Sequence, residues 1–332
     1  MRHGTIRAAF LAAFLPTLCR TLVCCALLCG TAPAAPLKEA ALIPQWEPQA
    51  QFAGYYVALA KGFYAEEGVT LRILRGGPAD PPSTLLREGK AQFGTFFLTT
   101  ALRLRAAGLP LVNLVQCIRH SNLLLIARKA DGINVPADLD GRRVSLWGPE
   151  FRLAPEAFFK KHGLHVVETP QGYTVDLFLR GGVAACSAMT YNEYHAILNA
   201  GLDPEALTVF PMAEYGLDLP EDGLYTLQSV WKSDPELCLA VAKATIRGWE
   251  YAFAHPEEAL DIVMERVTAA HLPTNRVHQK WMLEQMRQAM TRNGERPGAL
   301  SPEGYARATK ALRDAGLIAD APPYEEFHAG RP

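Results

Sequence analysis

The chain is almost without net charge. Its 33 Lys and Arg stand against 34 Asp and Glu, a formal balance of −1. A nucleic-acid binder that works through a basic face is thereby excluded, because clustered cations are needed to neutralise phosphates. Cysteine is scarce beyond the N-terminus. Cys19, Cys24, Cys25 and Cys29 crowd the first thirty residues, whereas Cys117, Cys186 and Cys238 lie far apart. That spacing gives no metal-ligand pattern and at most one disulfide, so each of the three is read as a small buried apolar side chain. G-x-S-x-G, P-loop, H-E-x-x-H and C-x-x-C motifs are missing beyond residue 34, as are heptads, fixed-period repeats and long Pro/Gly/Ser linkers. His162 and His165 straddle a helix end, His120 lies near the expected crossing between the two halves of the chain and His195 near "TYNEY"; all are read as structural or surface residues. No catalytic residue, metal ligand or cofactor is expected.

Long apolar runs are also lacking. The N-terminal segment carries Arg2, Arg7 and Arg20, then the apolar run from Thr21 to Cys29, then Ala32-Pro33-Ala34. Pro16 and Arg20 break it, which leaves no span of roughly 20 apolar residues for a membrane helix. A basic start, a short apolar core and a small-x-small site predict a signal peptide over residues 1–34, cleaved near Ala34, and a periplasmic mature chain. Lipid attachment at Cys29 is the less favoured alternative, because Leu28 is a poor neighbour for a modified Cys.

What is present is 49% hydrophobic residues, enough for one large or two medium cores. Short apolar strands alternate with helical patterns nearly throughout. "AALIPQ", "TLRIL" and "NLLLIARK" read as strands, with a helix after the first at Phe52, Tyr55, Tyr56, Leu59 and Phe63; "PPSTLLREGKAQFGTFFLTTALRLRAAGLPLVNLVQCI" reads as helix, strand, helix, strand, with "FGTFFLTTA" a loop that opens the second of those helices. The pattern restarts after "ADGINVPADLDG" with "RRVSLW", a helix over 153–162, "HVVET", a short helix near 175–179, "VAACSAM", a helix from Tyr191, and "LTVF". From "GLYTLQSVW" onward the chain reads as helical, over 235–253, 256–267, 275–291 and 302–315. Such alternation predicts an α/β fold of two lobes, each a mostly parallel sheet flanked by helices, with a ligand cleft between them. Lobe 1 is expected to hold residues 38–127 and 224–320, lobe 2 residues 130–222, and residues 321–332 form a poorly ordered tail.

"WEPQAQFAGYYVALAKGFYAEEGV", "PADLDGRRVSLWG" and "MTYNEYHAILNAG…YG…EDGLYT" together resemble the NMT1/THI5-like (SsuA/THI5-like) group, over about Ala41 to Pro302. That resemblance implies a periplasmic-binding-protein fold of type II. It also implies the role of most members, substrate-binding components of ABC importers that carry thiamine precursors, riboflavin-like compounds or sulfonates. The partners implied are a small-molecule ligand and the permease and ATP-binding subunits; a monomer is the expected state. A soluble sensor built on the same fold is a further possibility.

The loop "QWEPQAQF" is then expected at the cleft. Trp46 offers a flat face for a planar ring, and Gln49 and Gln51 offer amides matched to ring nitrogens. Core packing is the alternative for Trp46. Of the adjacent tyrosines, Tyr55 is read as nearer the cleft. Thr95, Thr99 and Thr100 are hydroxyl contacts or helix caps. Gly148 lets a backbone approach closely, and Glu150 or Arg152 sits near a helix start. In the synthases of the group the matching turn holds a phosphate, and Pro149 and Leu153 depart from that pattern. Tyr191, Asn192 and Glu193 open a helix, where Glu193 accepts from an exocyclic amine or simply favours the helix dipole. Tyr215 and Asp222 complete the candidates.

The synthase branch makes the thiamine pyrimidine by consuming its own histidine with pyridoxal phosphate. The resemblance places Thr100 at that histidine, and "EDGLYTLQSVW" replaces its cysteine-rich segment. A binding protein rather than an enzyme is therefore expected, with an aminopyrimidine thiamine precursor as best cargo. Riboflavin, purine and sulfonate or taurine are the alternatives.

Overall fold

The computed structural model describes Met1, residues 36–149 and residues 151–329. The expected signal peptide past Met1, and the candidate Glu150, lie outside the described residues. None of the described helices is long and apolar enough to cross a membrane.

Ten strands among the described residues form two five-stranded sheets. The first holds β1 (Lys38–Ile43), β2 (Val69–Ile73), β3 (Phe93–Phe97), β4 (Leu111–Gln116) and β10 (Asp222–Leu227), in the order β2-β1-β3-β10-β4. The second holds β5 (Leu123–Arg128), β6 (Arg143–Leu146), β7 (Val167–Pro170), β8 (Ala185–Met189) and β9 (Leu207–Pro211), in the order β7-β6-β8-β5-β9. Each sheet is mostly parallel, with one antiparallel member. β10 runs against β3 and β4, and β5 runs against β8 and β9. Each odd strand is the first one laid down after the chain crosses between the sheets. The first sheet is thus completed by a strand that follows the whole of the second in the chain.

The β10 stretch is a correction to the reading of "GLYTLQSVW" as the start of a helical return. Asp222, Gly223, Leu224, Tyr225 and Thr226 are all buried. A strand covered on both faces shows no period-2 alternation, so its pattern gave no strand signal.

The helices are α1 (Ala53–Ala60), α2 (Phe63–Glu66), α3 (Pro82–Arg87), α4 (Leu98–Ala106), α5 (Leu153–His162), α6 (Asp176–Leu179), α7 (Glu193–Asn199), α8 (Gln228–Ser233), α9 (Pro235–Ala254), α10 (Pro256–Ala269), α11 (Arg276–Thr291), α12 (Pro302–Asp314) and α13 (Tyr324–Phe327). Local chemistry sets several ends. Proline opens α3, α9, α10 and α12, where its missing N–H costs nothing. Asp234, Asn275 and Ser301 cap α9, α11 and α12 by accepting from Leu237 N, His278 N and Gly304 N. Gly163, at φ 65°, stops α5 where the sequence places its end.

The opening helix is held by α9. A Cβ on Gly54 would lie 2.3 Å from the Trp249 ring, and one on Gly248 would lie 2.1 Å from Gly54 O. The two backbones touch because both positions lack a side chain.

Residues 321–329 differ from the expected loose tail. Phe327 is fully buried against Tyr225 and Tyr305, at ring distances of 6.2 and 5.4 Å. His328 Nδ1 lies 3.2 Å from Asn113 Oδ1, and Ala329 N donates to Asn113 O. One large aromatic anchor outweighs the polar, Pro-rich composition around it.

Two neighbouring segments carry the chain between the sheets. Gln116 Nε2 donates to the carbonyls of Ile118 and Glu221 at 2.8 and 2.9 Å. The buried Glu221 carboxylate accepts from Ser121 Oγ and from both nitrogens of Asn122. Asp218 likewise takes Ser121 N at 2.8 Å and lies 2.7 Å from His120 Nδ1.

Candidate binding cleft

Both sheets send strand ends toward one gap with an empty volume of about 330 Å³. From the first sheet come the loop after β1, with Gln45, Trp46, Gln49 and Gln51, and Phe97 at the end of β3. From the second come Trp147 and Phe151 after β6, then Met189, Tyr191, Asn192 and Glu193 after β8. These are the carboxyl ends of strands, where α/β folds place ligands.

The loop after β1 is fixed from below by a buried carboxylate. Asp222 Oδ1 accepts from Gln45 Nε2 at 2.6 Å, and Oδ2 accepts from Gln51 Nε2 at 2.8 Å. Gln51 must then present its oxygen to Gln49, whose Nε2 donates to it at 2.6 Å. The direction of the first bond sets every amide after it. The ladder ends on Gln49 Oε1, an acceptor. Gln45 N donates to Thr95 Oγ1 at 2.8 Å, and Gln279 of α11 accepts from Ala50 N at 2.7 Å, so the loop is braced on two more sides.

Aromatic rings make the walls. Trp46 meets Phe151 edge-on at 5.7 Å and Trp147 at 6.5 Å, and Phe97 meets Phe151 at 5.2 Å. Rings from both sheets thus close on one another. The indole Nε1 of Trp147 is buried without a hydrogen-bond partner among the described residues. A buried donor left so costs about 1–3 kcal/mol, which an acceptor placed in the gap would offset.

Across from the amide ladder stands Glu193. Its Oε2 accepts from Met189 N at 2.9 Å and its Oε1 from Asn192 Nδ2 at 2.7 Å. Burial nevertheless pushes its carboxyl up to about 7. Burial does the same to Asp222, to about 7, and to Glu221, to about 8. These three carboxyls have a consequence for stability. A carboxyl kept neutral by the fold holds a proton that the unfolded chain gives up near pH 4, so the stability it contributes is complete below that pH. It is lost as pH rises through 7 to 8, at up to ~1.4 kcal/mol per pH unit for each group. The melting temperature is expected to fall between pH 5.5 and pH 8.5, and Glu221→Gln to flatten that slope. A scanning-calorimetry profile flat in the parent protein would contradict it.

The remaining sequence candidates stand elsewhere. Tyr55 faces the core: its hydroxyl lies 3.8 Å from Cys117 Sγ and its ring 6.2 Å from Trp249. The same helix face that buries it against α9 turns it from the gap. Thr95 and Asp222 act beneath the loop and do not line the gap. Thr99 lines a small side pocket with Ser121, Leu123 and Glu221. Gly148 is exposed, and a Cβ there would meet nothing within 4 Å, so no close approach requires glycine. Arg152 pairs with Glu156 and Glu168. Tyr215 packs on Phe158 at 4.9 Å, on the far side of α5. Sequence reasoning passed over Gln45, Phe97, Trp147, Phe151 and Met189. Trp147 and Phe151 flank Gly148 and Arg152 in the stretch "LWGPEFR" and carry the same aromatic signal as Trp46.

A model of the NMT1/THI5-like family matches residues 49–259. The chain belongs to that family. Among curated relatives, the formylaminopyrimidine-binding protein of Halalkalibacterium halodurans is 24% identical over 247 residues, 71% of this chain and 73% of the relative. The riboflavin-binding protein RibY of Chloroflexus aurantiacus is 24% identical over 245 residues, 71% and 68% of the two chains. A 4-amino-5-hydroxymethyl-2-methylpyrimidine phosphate synthase of Legionella pneumophila is also 24% identical, over 241 residues, 68% and 72% of the two chains. In fold, the chain is similar to the periplasmic aliphatic sulphonate binding protein SsuA of Escherichia coli, with a TM-score of 0.65 and 13% identity over 88% of this chain and 97% of that one.

Proposed function

We propose that this member of the family is the substrate-binding component of an ABC importer, exported to the periplasm, and that its cargo is a small planar heterocycle, an aminopyrimidine thiamine precursor. The observation that carries the reading is the make-up of the gap. Aromatic rings wall it, an amide ladder ends on the acceptor Gln49 Oε1, and Glu193 supplies a second acceptor opposite. An exocyclic amine has donors for both, while the ring stacks on Trp46 or Trp147.

The alternatives fit this chemistry less well. No Lys, Arg or His is among the described lining residues. A sulfonate would set an anion beside Glu193 with nothing to neutralise it. For the synthase reading, the described lining residues include neither His nor Cys, and Thr100 occupies the position where the family resemblance calls for the consumed histidine. Incubation with pyridoxal phosphate and iron is accordingly expected to yield no pyrimidine; product in stoichiometric amount would restore the enzyme.

Transport follows from two hinged lobes. Cargo touches both walls only when they are closed, so its differential affinity shifts the population to the closed form, whose surface a permease with its ATP-binding subunits can read. The test is a thermal-shift screen of pyrimidines, flavins, purines and sulfonates, since a ligand bound only by the native state raises the melting point. Pyrimidines should give the largest shift; a larger one from another class replaces the cargo. Trp46→Ala is expected to weaken pyrimidine binding by about two- to tenfold, the worth of a stacking contact at 0.5–1.5 kcal/mol. Unchanged calorimetric affinity in a folded variant removes Trp46 from the site.

A further inference from the structure

Beside the gap, α11 of the first half meets α7 of the second through side chains that the ligand reading does not use. His278 Nε2 lies 2.8 Å from Asn192 Oδ1, and His278 Nδ1 lies 2.9 Å from His195 Nδ1. The His195 ring stacks on Trp281 at 4.6 Å with an interplanar angle of 5°, and Trp281 Nε1 donates to Thr190 O at 3.3 Å.

Hydrogen-bond direction runs one way through this chain. Glu193 accepts from Asn192 Nδ2, so Asn192 turns its oxygen to His278. His278 must then carry its proton on Nε2, which leaves Nδ1 as an acceptor for His195 Nδ1–H. Asn199 places its amide 3.2 Å from the same His195 nitrogen, where it can turn either end toward it. Both nitrogens of His278 are therefore committed. The chain His195–His278–Asn192–Glu193 links the outer edge of the two halves to the carboxylate in the gap.

We propose that His278 is a positioning residue of the cleft: with His195 and Trp281 it clasps the two lobes together and, through Asn192, aims Glu193, and a doubly protonated histidine pair releases the clasp. This rests on reading the gap as a ligand cleft, but the clasp itself has a readout that needs no ligand.

One proton is tolerated. It can sit on His195 and strengthen its donation, with the Trp281 face beneath the imidazolium. A second proton sets two N–H groups against each other at 2.9 Å with like charges. Burial first, and then His195, hold His278 down to about 4; burial also lowers His195. The other charges here are taken up. Arg276 and Lys280 of α11 pair with Glu257 and Asp261 of α10, Glu284 pairs with Arg287, and Glu193 is the carboxylate facing from α7. In an open protein the histidines return toward their ordinary 6.5, so the open form takes up protons that the closed form refuses. Closure is favoured above that pH and lost as pH falls from 6.5 toward 4.

The experiment follows lobe separation by small-angle X-ray scattering of the purified protein from pH 8 to pH 4.5, with Trp281 fluorescence alongside. The radius of gyration is expected to rise below pH 6.5 in the parent and to stay flat in His278→Gln, which keeps a donor for Asn192 but cannot titrate. His278→Leu should be open at every pH, and His195→Asn should also lose the acid transition. With formylaminopyrimidine as probe, affinity should fall at least about tenfold from pH 7.5 to 5.5 in the parent and much less in His278→Gln, beyond any titration of Glu193 common to both. An acid transition identical in parent, His278→Gln and His195→Asn overturns the clasp. Absence of probe binding together with a His278-dependent transition leaves the clasp standing and refutes the cargo instead.

Discussion

Asp222→Ala is expected to weaken cargo binding about a hundredfold and to lower the melting temperature by several degrees, although Asp222 does not line the gap. Its carboxylate accepts two amide bonds, from Gln45 at 2.6 Å and Gln51 at 2.8 Å. Each such bond contributes about 0.5–1.5 kcal/mol, and buried amides left without a partner cost about 1–3 kcal/mol. Both losses fall on the loop that carries Trp46 and Gln49. Without the carboxylate, nothing obliges Gln51 to show its oxygen to Gln49, and the acceptor at the end of the ladder is no longer specified. Asp222→Asn discriminates the cause. It keeps the shape but offers one acceptor oxygen, so one amide must turn, and binding should suffer more than stability. Calorimetry on both variants, with the pyrimidine that gives the largest thermal shift, measures this. Native affinity in a folded Asp222→Ala would mean that the ladder does not orient the site.

Gly248→Val is expected to cost about 3 kcal/mol or more, the upper end of core overpacking, and about 5 °C in melting temperature. A Cβ at that position meets Gly54 O at 2.1 Å, Ala58 Cβ at 2.7 Å and Ala58 N at 3.1 Å. Two of these are backbone atoms of α1 and cannot rotate away. The helix would have to part from α9, and the loop after β1 runs directly into α1 through the turn Ala50–Phe52. Gly62→Ala is the control: a Cβ there meets nothing within 4 Å, so its cost is confined to its φ of 74°. Equal melting temperatures for Gly248→Val and Gly62→Ala would show that the two helices have room to separate.

The architecture was legible because most strands and helices keep their own period. α5 was read from its pattern to the residue, with Gly163 marking its end. β10 was not legible, for the opposite reason: buried on both faces, it shows no alternation, and its place between β3 and β4 depends on partners more than a hundred residues away. At the site, Trp46, Gln49, Gln51 and the Tyr191-Asn192-Glu193 run stand together at the gap, since each opens or precedes a helix after a strand. Tyr55 could not be separated from Tyr56 by spacing alone, and only the approach of α9 decides which way it faces. The histidine pair was invisible in sequence. His195 and His278 are 83 positions apart, and nothing local to either marks it as half of a contact.

The late arrival of β10 carries a cost during synthesis. β3 and β4 are adjacent in the chain but never pair; each waits for Asp222–Leu227 to slide between them. A nascent or truncated chain ending before Asp222 therefore holds two unzipped strand borders in its N-terminal half, open to wrong partners. Such fragments should precipitate, whereas a peptide of the missing strand supplied in trans should rescue them.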